Sequence, residues 1–319
     1  MEEGNRKRKS ERQKSPIAER GPKESFDTKR SFHYIMRKLR HRQLTNNTMK
    51  REKTKLGSLE MQLLAYVQLL KKDLIRTGEV SPIIGISSKQ ERELLSRMAR
   101  SGMIMRLKRG VYLVPPRMPS GGRWAVSEYL ILSKLMVVLS GKYQISGPYA
   151  FNFYGYDDQV PNRVYVYNNR IFGEKNIGGI EFVFIKTSDS RLGSINKLKT
   201  PDGVEAIMAS RPRALVDAIY DWSRYNTIPR AYGWVVSSIK KEPEFGQVLL
   251  ETTLKYGNKG TVRRIGYLLS LCGVADVQLT KLKRKLGSSK SLIPWIPGRE
   301  AKGSINRDWG LIINGSLPK

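Results

Sequence analysis

The sequence predicts an α+β chain: an N-terminal winged helix-turn-helix, then a mixed α/β C-terminal domain with a small sheet and a helical end. Three observations carry this. Over residues 58–115 an apolar helix, a short Pro-interrupted segment, an amphipathic helix and two short apolar strands follow one another. After the Pro- and Gly-rich stretch Pro115–Gly122, two helical runs lead into a group of strand-like runs and a series of helical runs closes the chain, the segregation of an α+β fold. The chain also carries 58 Lys and Arg against 28 Asp and Glu, a formal charge of +30. Repulsion on that scale favours a polyanionic partner, and nucleic acid is the obvious one.

The elements read in order as follows. Residues 1–56 hold 18 Lys and Arg against 7 Asp and Glu, with dense clusters at Arg6–Lys9 and Arg37–Arg42. So little apolar surface cannot offset the entropy of ordering, so a basic flexible arm is expected, with a short helix near Phe32–Arg42. The winged helix-turn-helix is expected over 57–118. Its first helix runs from Leu59 to Lys71-Lys72, and Thr77-Gly78 breaks it. Val80–Ile86 is short and interrupted by Pro82, which suits the second helix and turn. Ser88-Lys-Gln-Glu91 reads as a capping box opening a third helix that Gly102 stops. On that helix Glu91, Leu94, Leu95 and Met98 share one arc, while Lys89, Arg92, Glu93, Ser96 and Arg100 share the other. Met103–Leu107 and Val111–Val114 form a hairpin around Lys108-Arg109-Gly110, where glycine tolerates a positive φ.

The C-terminal domain is expected over 123–319. A helix spans Trp124–Leu139, and Gln144–Pro148 opens a short one through Ala150. Strands are expected at Arg163–Tyr167, Ile180–Lys186, Ile195–Leu198 and Val204–Met208. Helices are expected at Pro212–Arg224, Pro229–Lys240, Pro243–Tyr256, Val262–Leu271 and Thr280–Lys285.

Residue usage removes several chemistries. The two histidines, His33 and His41, lie in the basic arm, so 57–319 offers no Ser-His-Asp triad, Cys-His pair or histidine-metal centre. The lone Cys272 makes no internal disulfide, and burial as an inert thiol is expected. No metal, cofactor or membrane helix is expected, since no apolar run approaches the ~20 residues that a span needs. The charged start has no apolar leader core, so a cytoplasmic protein is expected.

Candidate DNA-binding residues are Lys89, Arg92, Ser96, Arg100, Lys108 and Arg109. A helix fits the major groove, where Arg92 and Arg100 have the fork that reads guanine bidentately. Lys89 and Ser96 suit backbone phosphates, and Lys108 and Arg109 on the wing suit the neighbouring groove. Tyr149, Phe151, Phe153, Tyr154, Tyr156, Tyr165 and Tyr167 are favoured as packing residues over base-stacking ones. Asp157-Asp158 reads as loop, and Arg211–Asp217 as a helix with its charges outward. Lys281, Lys283, Arg284 and Lys285 offer a further basic stretch for nucleic acid.

This order of segments resembles the AbiEi-type antitoxins of type IV toxin–antitoxin systems. Arg106-Leu-Lys-Arg-Gly-Val-Tyr112 is similar to that family's wing. Tyr143-Gln-Ile-Ser-Gly-Pro-Tyr-Ala150 through Gly155, the Val164–Tyr167 strand and Arg213-Ala-Leu-Val-Asp217 resemble its middle. Arg263-Arg-Ile-Gly-Tyr-Leu-Leu269, Ile293-Pro-Trp-Ile-Pro297 and Asp308-Trp-Gly-Leu-Ile-Ile-Asn314 resemble its end. The resemblance implies a non-enzymatic autorepressor that binds double-stranded operator repeats. It also implies an antitoxin domain that counters a nucleotidyltransferase-class toxin without needing a stable complex with it. Two other readings stand beside it. One is a phosphotransferase acting through Asp157, Asp158 and Asp217, and the other is a nucleic-acid-binding scaffold of a mobile element.

Overall fold

The computed structural model describes residues 56–117, 123–287 and 291–317. Nearly all of the basic arm, including His33, His41 and the helix expected near Phe32–Arg42, lies outside the described residues, as do 118–122 of the Pro/Gly stretch.

The N-terminal part has the expected order with one added strand. Helix α1 (Ser58–Leu69) is followed by β1 (Leu74–Arg76), α2 (Ser81–Ile84), α3 (Ser88–Arg100), β2 (Met105–Lys108) and β3 (Val111–Leu113). Strand β1 was not expected. It pairs antiparallel with β3, Leu74 facing Leu113 and Arg76 facing Val111, and makes the wing a three-stranded sheet in the order β1-β3-β2. Proline in the first turn of α2 costs no hydrogen bond, and Gly85 at φ +69° closes that helix after four residues. Leu63, Leu64, Val67, Ile75, Leu94, Leu95, Met98, Tyr112 and Val114 form its core.

The body is built on a six-stranded mixed sheet. It comprises β4 (Tyr143–Ser146), β5 (Arg163–Asn168), β6 (Gly173–Ile177), β7 (Ile180–Lys186), β8 (Ile195–Lys199) and β9 (Glu205–Ala209), in the order β6-β7-β5-β4-β9-β8. Strand β4 corrects the reading of Gln144–Pro148 as the opening of a helix. It is a fully buried strand, antiparallel to β5 and parallel to β9, and α5 (Pro148–Phe153) begins only after it. Four buried residues with no alternation leave no period to read. Helix α4 (Glu128–Val138) starts four residues later than expected, because the Ser127 hydroxyl caps it by accepting from the Leu130 amide at 3.2 Å.

The helical end comprises α6 (Arg211–Tyr220), α7 (Trp222–Tyr225), α8 (Arg230–Lys241), α9 (Phe245–Tyr256), α10 (Lys259–Leu271) and α11 (Asp276–Leu286). A small sheet closes it. Strand β12 (Leu311–Ile313) pairs parallel with β10 (Ile293–Pro294) and antiparallel with β11 (Ser304–Asn306). Two buried tryptophans lock this sheet to the helices. Trp295 stacks on Tyr232 at 3.8 Å between ring centres, and Trp309 lies over Gly266, where a Cβ would come within 2.1 Å of the ring.

The expectation that α6 turns its charges outward is corrected. Arg213 and Asp217 are both fully buried, Arg213 Nε donating to Asp217 Oδ1 at 2.9 Å. Arg191 Nη2 donates to the same oxygen at 2.8 Å, and the Ser146 hydroxyl donates to Oδ2 at 2.8 Å. The carboxylate thus joins α6, β4 and the loop before β8. A buried charge is tolerated where it is paired and hydrogen-bonded in this way.

The wing sheet is shared by two cores. Tyr112 and Val114 pack into the N-terminal core, while Leu107, Val111 and Leu113 pack into the core of the body. Lys134 of α4 is also ion-paired with Asp73, and the Trp124 amide donates to Gly102 O at 2.8 Å.

Candidate nucleic-acid interface

Helix α3 owes its orientation to its two faces. Its start is capped one residue earlier than expected: Ser87 Oγ accepts from the Gln90 amide at 3.2 Å, and Gln90 Oε1 accepts from the Ser87 amide at 2.8 Å. The box is therefore Ser87 with Gln90, not Ser88 with Glu91. Glu91 is drawn inward instead, alongside Leu94, Leu95 and Met98, and its carboxylate accepts from the Gly78 and Val80 amides. The opposite face is exposed at Lys89, Arg92, Glu93, Ser96, Arg97 and Arg100.

The hairpin sets a second wall beside that face. Lys108 pairs with Val111, which leaves a two-residue turn of Arg109 and Gly110, with Gly110 at φ +73°. The Gly110 carbonyl accepts from the Thr77 amide at 2.9 Å, so the turn is held against the end of β1.

Between the two walls runs an open groove of about 770 Å³. Lys89, Arg92, Ser96 and Arg100 line it from the helix, and Arg109 lines it from the hairpin. Lys108, the sixth residue expected at the interface, is exposed at the end of β2 but lies outside the groove lining. The lining also includes Arg97, Arg106, Thr77 and Tyr112, which the sequence reading did not single out. The alternation Arg106 exposed, Leu107 buried, Lys108 exposed is a signal that places Arg106 on the open face of the hairpin.

The groove is strongly positive. Six cations line it against one carboxylate, Glu93. Arg97 is neutralised by Glu60 of α1, to which its Nε and Nη2 donate at 2.8 and 2.6 Å. Lys89, Arg92, Arg100, Arg106 and Arg109 form no ion pair among the described residues. Unpaired guanidinium groups beside a helix of this width suit a ligand with regularly spaced anionic oxygens and planar acceptors.

Other singled-out residues are engaged elsewhere. Asp157 pairs with Arg230 at 3.4 Å and accepts from the Gln159 amide at 3.1 Å. Together with the saturated Asp217, this places two of the three acids in structural contacts, while Asp158 is exposed. Among the described residues no group of three or more His, Cys, Asp or Glu is placed to hold a metal ion. The aromatic set packs as expected: Tyr149, Phe151 and Tyr167 are buried, and Phe151 and Tyr165 meet Tyr225 edge-on at 5.6 and 5.2 Å. In the basic stretch of α11, Lys283 pairs with Asp308 at 2.9 Å and Lys285 donates to Gly257 O at 3.1 Å, leaving Lys281 and Arg284 without an ion pair among the described residues. Cys272 is only half-buried, and that burial raises its thiol pKa.

Residues 62–115 match the family model described as transcriptional regulator, AbiEi antitoxin. The match runs from within α1 to the residues just after β3 and so contains both walls of the groove. It agrees with the resemblance carried by Arg106–Tyr112, and it supports a DNA-binding regulator. No curated protein matches the chain. Among solved structures, the crystal structure of the RV2827C protein from Mycobacterium tuberculosis is similar, with a TM-score of 0.51 and 14% sequence identity, covering 81% of this chain and 92% of that one. That likeness is one of fold, and it extends well beyond the family match into the body. No helix among the described residues is long and apolar enough to cross a membrane.

Proposed function

We propose that the chain is a DNA-binding autorepressor and antitoxin. The groove between α3 and the wing docks on duplex operator repeats in its own promoter, and residues 123–319 counter a nucleotidyltransferase-class toxin without a stable complex. The observation that carries the DNA half is the set of five cations, Lys89, Arg92, Arg100, Arg106 and Arg109, converging on one groove with no ion-pair partner among the described residues. In this reading α3 enters the major groove, Arg92 and Arg100 read base edges, and Lys89 and Ser96 hold phosphates. Arg106, Arg109 and the neighbouring Lys108 grip the flanking backbone. The antitoxin half rests on the description of the matched family.

Anisotropy titration of the full chain against a labelled duplex from upstream of its own gene tests the DNA half. Binding at physiological salt should be at least ~10³-fold tighter than to a scrambled duplex of equal length. Equal affinity for the two duplexes would overturn operator recognition. For the antitoxin half, co-expression should rescue growth of cells producing a nucleotidyltransferase encoded beside this chain. Failure to rescue overturns that half alone.

A further inference from the structure

We infer that Glu91 is a positioning residue that fixes the span between the recognition helix and the wing. The inference rests on the DNA-face reading above. Glu91 is fully buried, and its partners are backbone amides. Its Oε1 accepts from the Gly78 amide at 3.0 Å and the Val80 amide at 2.9 Å, and Oε2 accepts from Gly78 at 2.9 Å. It forms no ion pair among the described residues.

A buried carboxylate without a cation is costly compared with an apolar side chain of similar volume. What it supplies is geometry. Gly78 sits at φ +97° with nothing within 4 Å of a Cβ position, so glycine there serves the backbone turn and not a tight fit. That turn aims two donors, the Gly78 and Val80 amides on either side of Glu79, at one carboxylate. The preceding residue, Thr77, donates its amide to Gly110 O at 2.9 Å, and Gly110 follows Arg109 at the hairpin tip. A short hydrogen-bonded path therefore runs from Glu91 through Gly78, Thr77 and Gly110 to Arg109. At its other end Glu91 is covalently joined to Arg92. The two walls of the groove are tied by this path, and the side chain on it is that of Glu91.

A duplex presents phosphates and base edges at fixed separations, so a two-wall grip works only when the walls keep their spacing to a fraction of an ångström. Loosening the tie costs the wing its contribution while leaving contacts made by α3 alone. A general loss of folded protein scales every affinity by one common factor instead. Glu91→Gln places an amide NH2 against the Gly78 N–H and removes one acceptor. Glu91→Asp keeps the charge but shortens its reach, and it decides the matter by the same comparison if the Gln variant does not fold.

The test measures operator affinity for Arg109→Ala and Arg92→Ala, each in the native, Glu91→Gln and Glu91→Asp chains. In the native chain each arginine should be worth ~10-fold. In the Glu91 variants the Arg109→Ala loss should shrink below ~2-fold while the Arg92→Ala loss stays near ~10-fold, the signature of coupling through Glu91. An Arg109→Ala loss unchanged in the Glu91 variants overturns the positioning role and leaves the DNA face standing. If neither arginine matters in the native chain, the DNA face falls and the inference falls with it.

Discussion

Arg97 of α3 and Glu60 of α1 are joined by two hydrogen bonds to a single carboxylate oxygen, at 2.8 and 2.6 Å. The pair anchors α3 to the helix behind it. It also spends the charge of a groove-lining arginine on the protein itself.

That pairing has a pH signature. Burial pushes the Glu60 carboxyl up, but the hydrogen bond and charge of Arg97, with the Glu60 and Gly57 amides, bring it below its ordinary value. A depressed carboxyl stabilises the fold above its unfolded value, and that stability disappears as pH falls through the folded value. Arg97→Ala should therefore lower the melting temperature at neutral pH, with the gap to the native chain closing below pH ~4. Thermal melts across pH 3–7 check this, and a gap that persists undiminished into acid contradicts it.

The buried network at Asp217 makes a larger claim on stability. Removing the carboxylate leaves Arg213 and Arg191 facing each other without their shared partner. Asp217→Ala should cost about 3–5 kcal/mol, since it strands buried charge. Ser146→Ala should cost less, about 1.5–3 kcal/mol, the scale of one hydrogen bond to a charged group. Urea denaturation measures both, and near-equal small losses would contradict the role given to Asp217.

The shared wing sheet predicts coupled unfolding. Leu113 is fully buried in the core of the body while its neighbour Tyr112 belongs to the N-terminal core. Leu113→Ala should destabilise by about 2–5 kcal/mol and lower one common transition. Residues 56–117 prepared alone should melt lower than the full chain and bind a hydrophobic dye through the uncovered Leu107, Val111 and Leu113. Two independent transitions in the full chain would contradict this coupling.

Much of this was legible in the sequence because period and sterics agreed. Helix α3 alternates its faces over thirteen residues, and β7 was placed at Ile180–Lys186, the bounds it has in the fold. Short elements were not legible. Strands β1 and β4 have three and four residues and no alternation, and β6 is exposed at four of its five positions, so each is made a strand by its neighbours in the sheet. The capping box slipped by one because Ser87-Ser88 and Gln90-Glu91 offer two frames with the same spacing. The Gly78 and Val80 amides decide between them by claiming Glu91, a demand from 11 to 13 residues upstream that no local pattern carries. The same limit hid Thr77, which meets the hairpin only through its amide bond to the Gly110 carbonyl, whereas the alternation of β2 did carry Arg106.

Lys89 should act through charge alone. It lines the groove at the first turn of α3 and forms no ion pair among the described residues. Lys89→Ala should weaken operator and scrambled duplex alike and lower the slope of log affinity against log salt by about 1. A change in sequence preference without a change in slope would assign Lys89 to base reading instead.

The most direct test of the central claim is operator binding by the Arg92→Ala, Arg100→Ala double variant of the full chain, with thermal melts confirming that it folds. Both side chains are exposed, so stability should be unchanged within about 0.5 kcal/mol. The account predicts that specific binding falls to the level of scrambled duplex while growth rescue against the toxin persists. A folded double variant that still binds the operator with native affinity would contradict the assignment of α3 as the recognition helix.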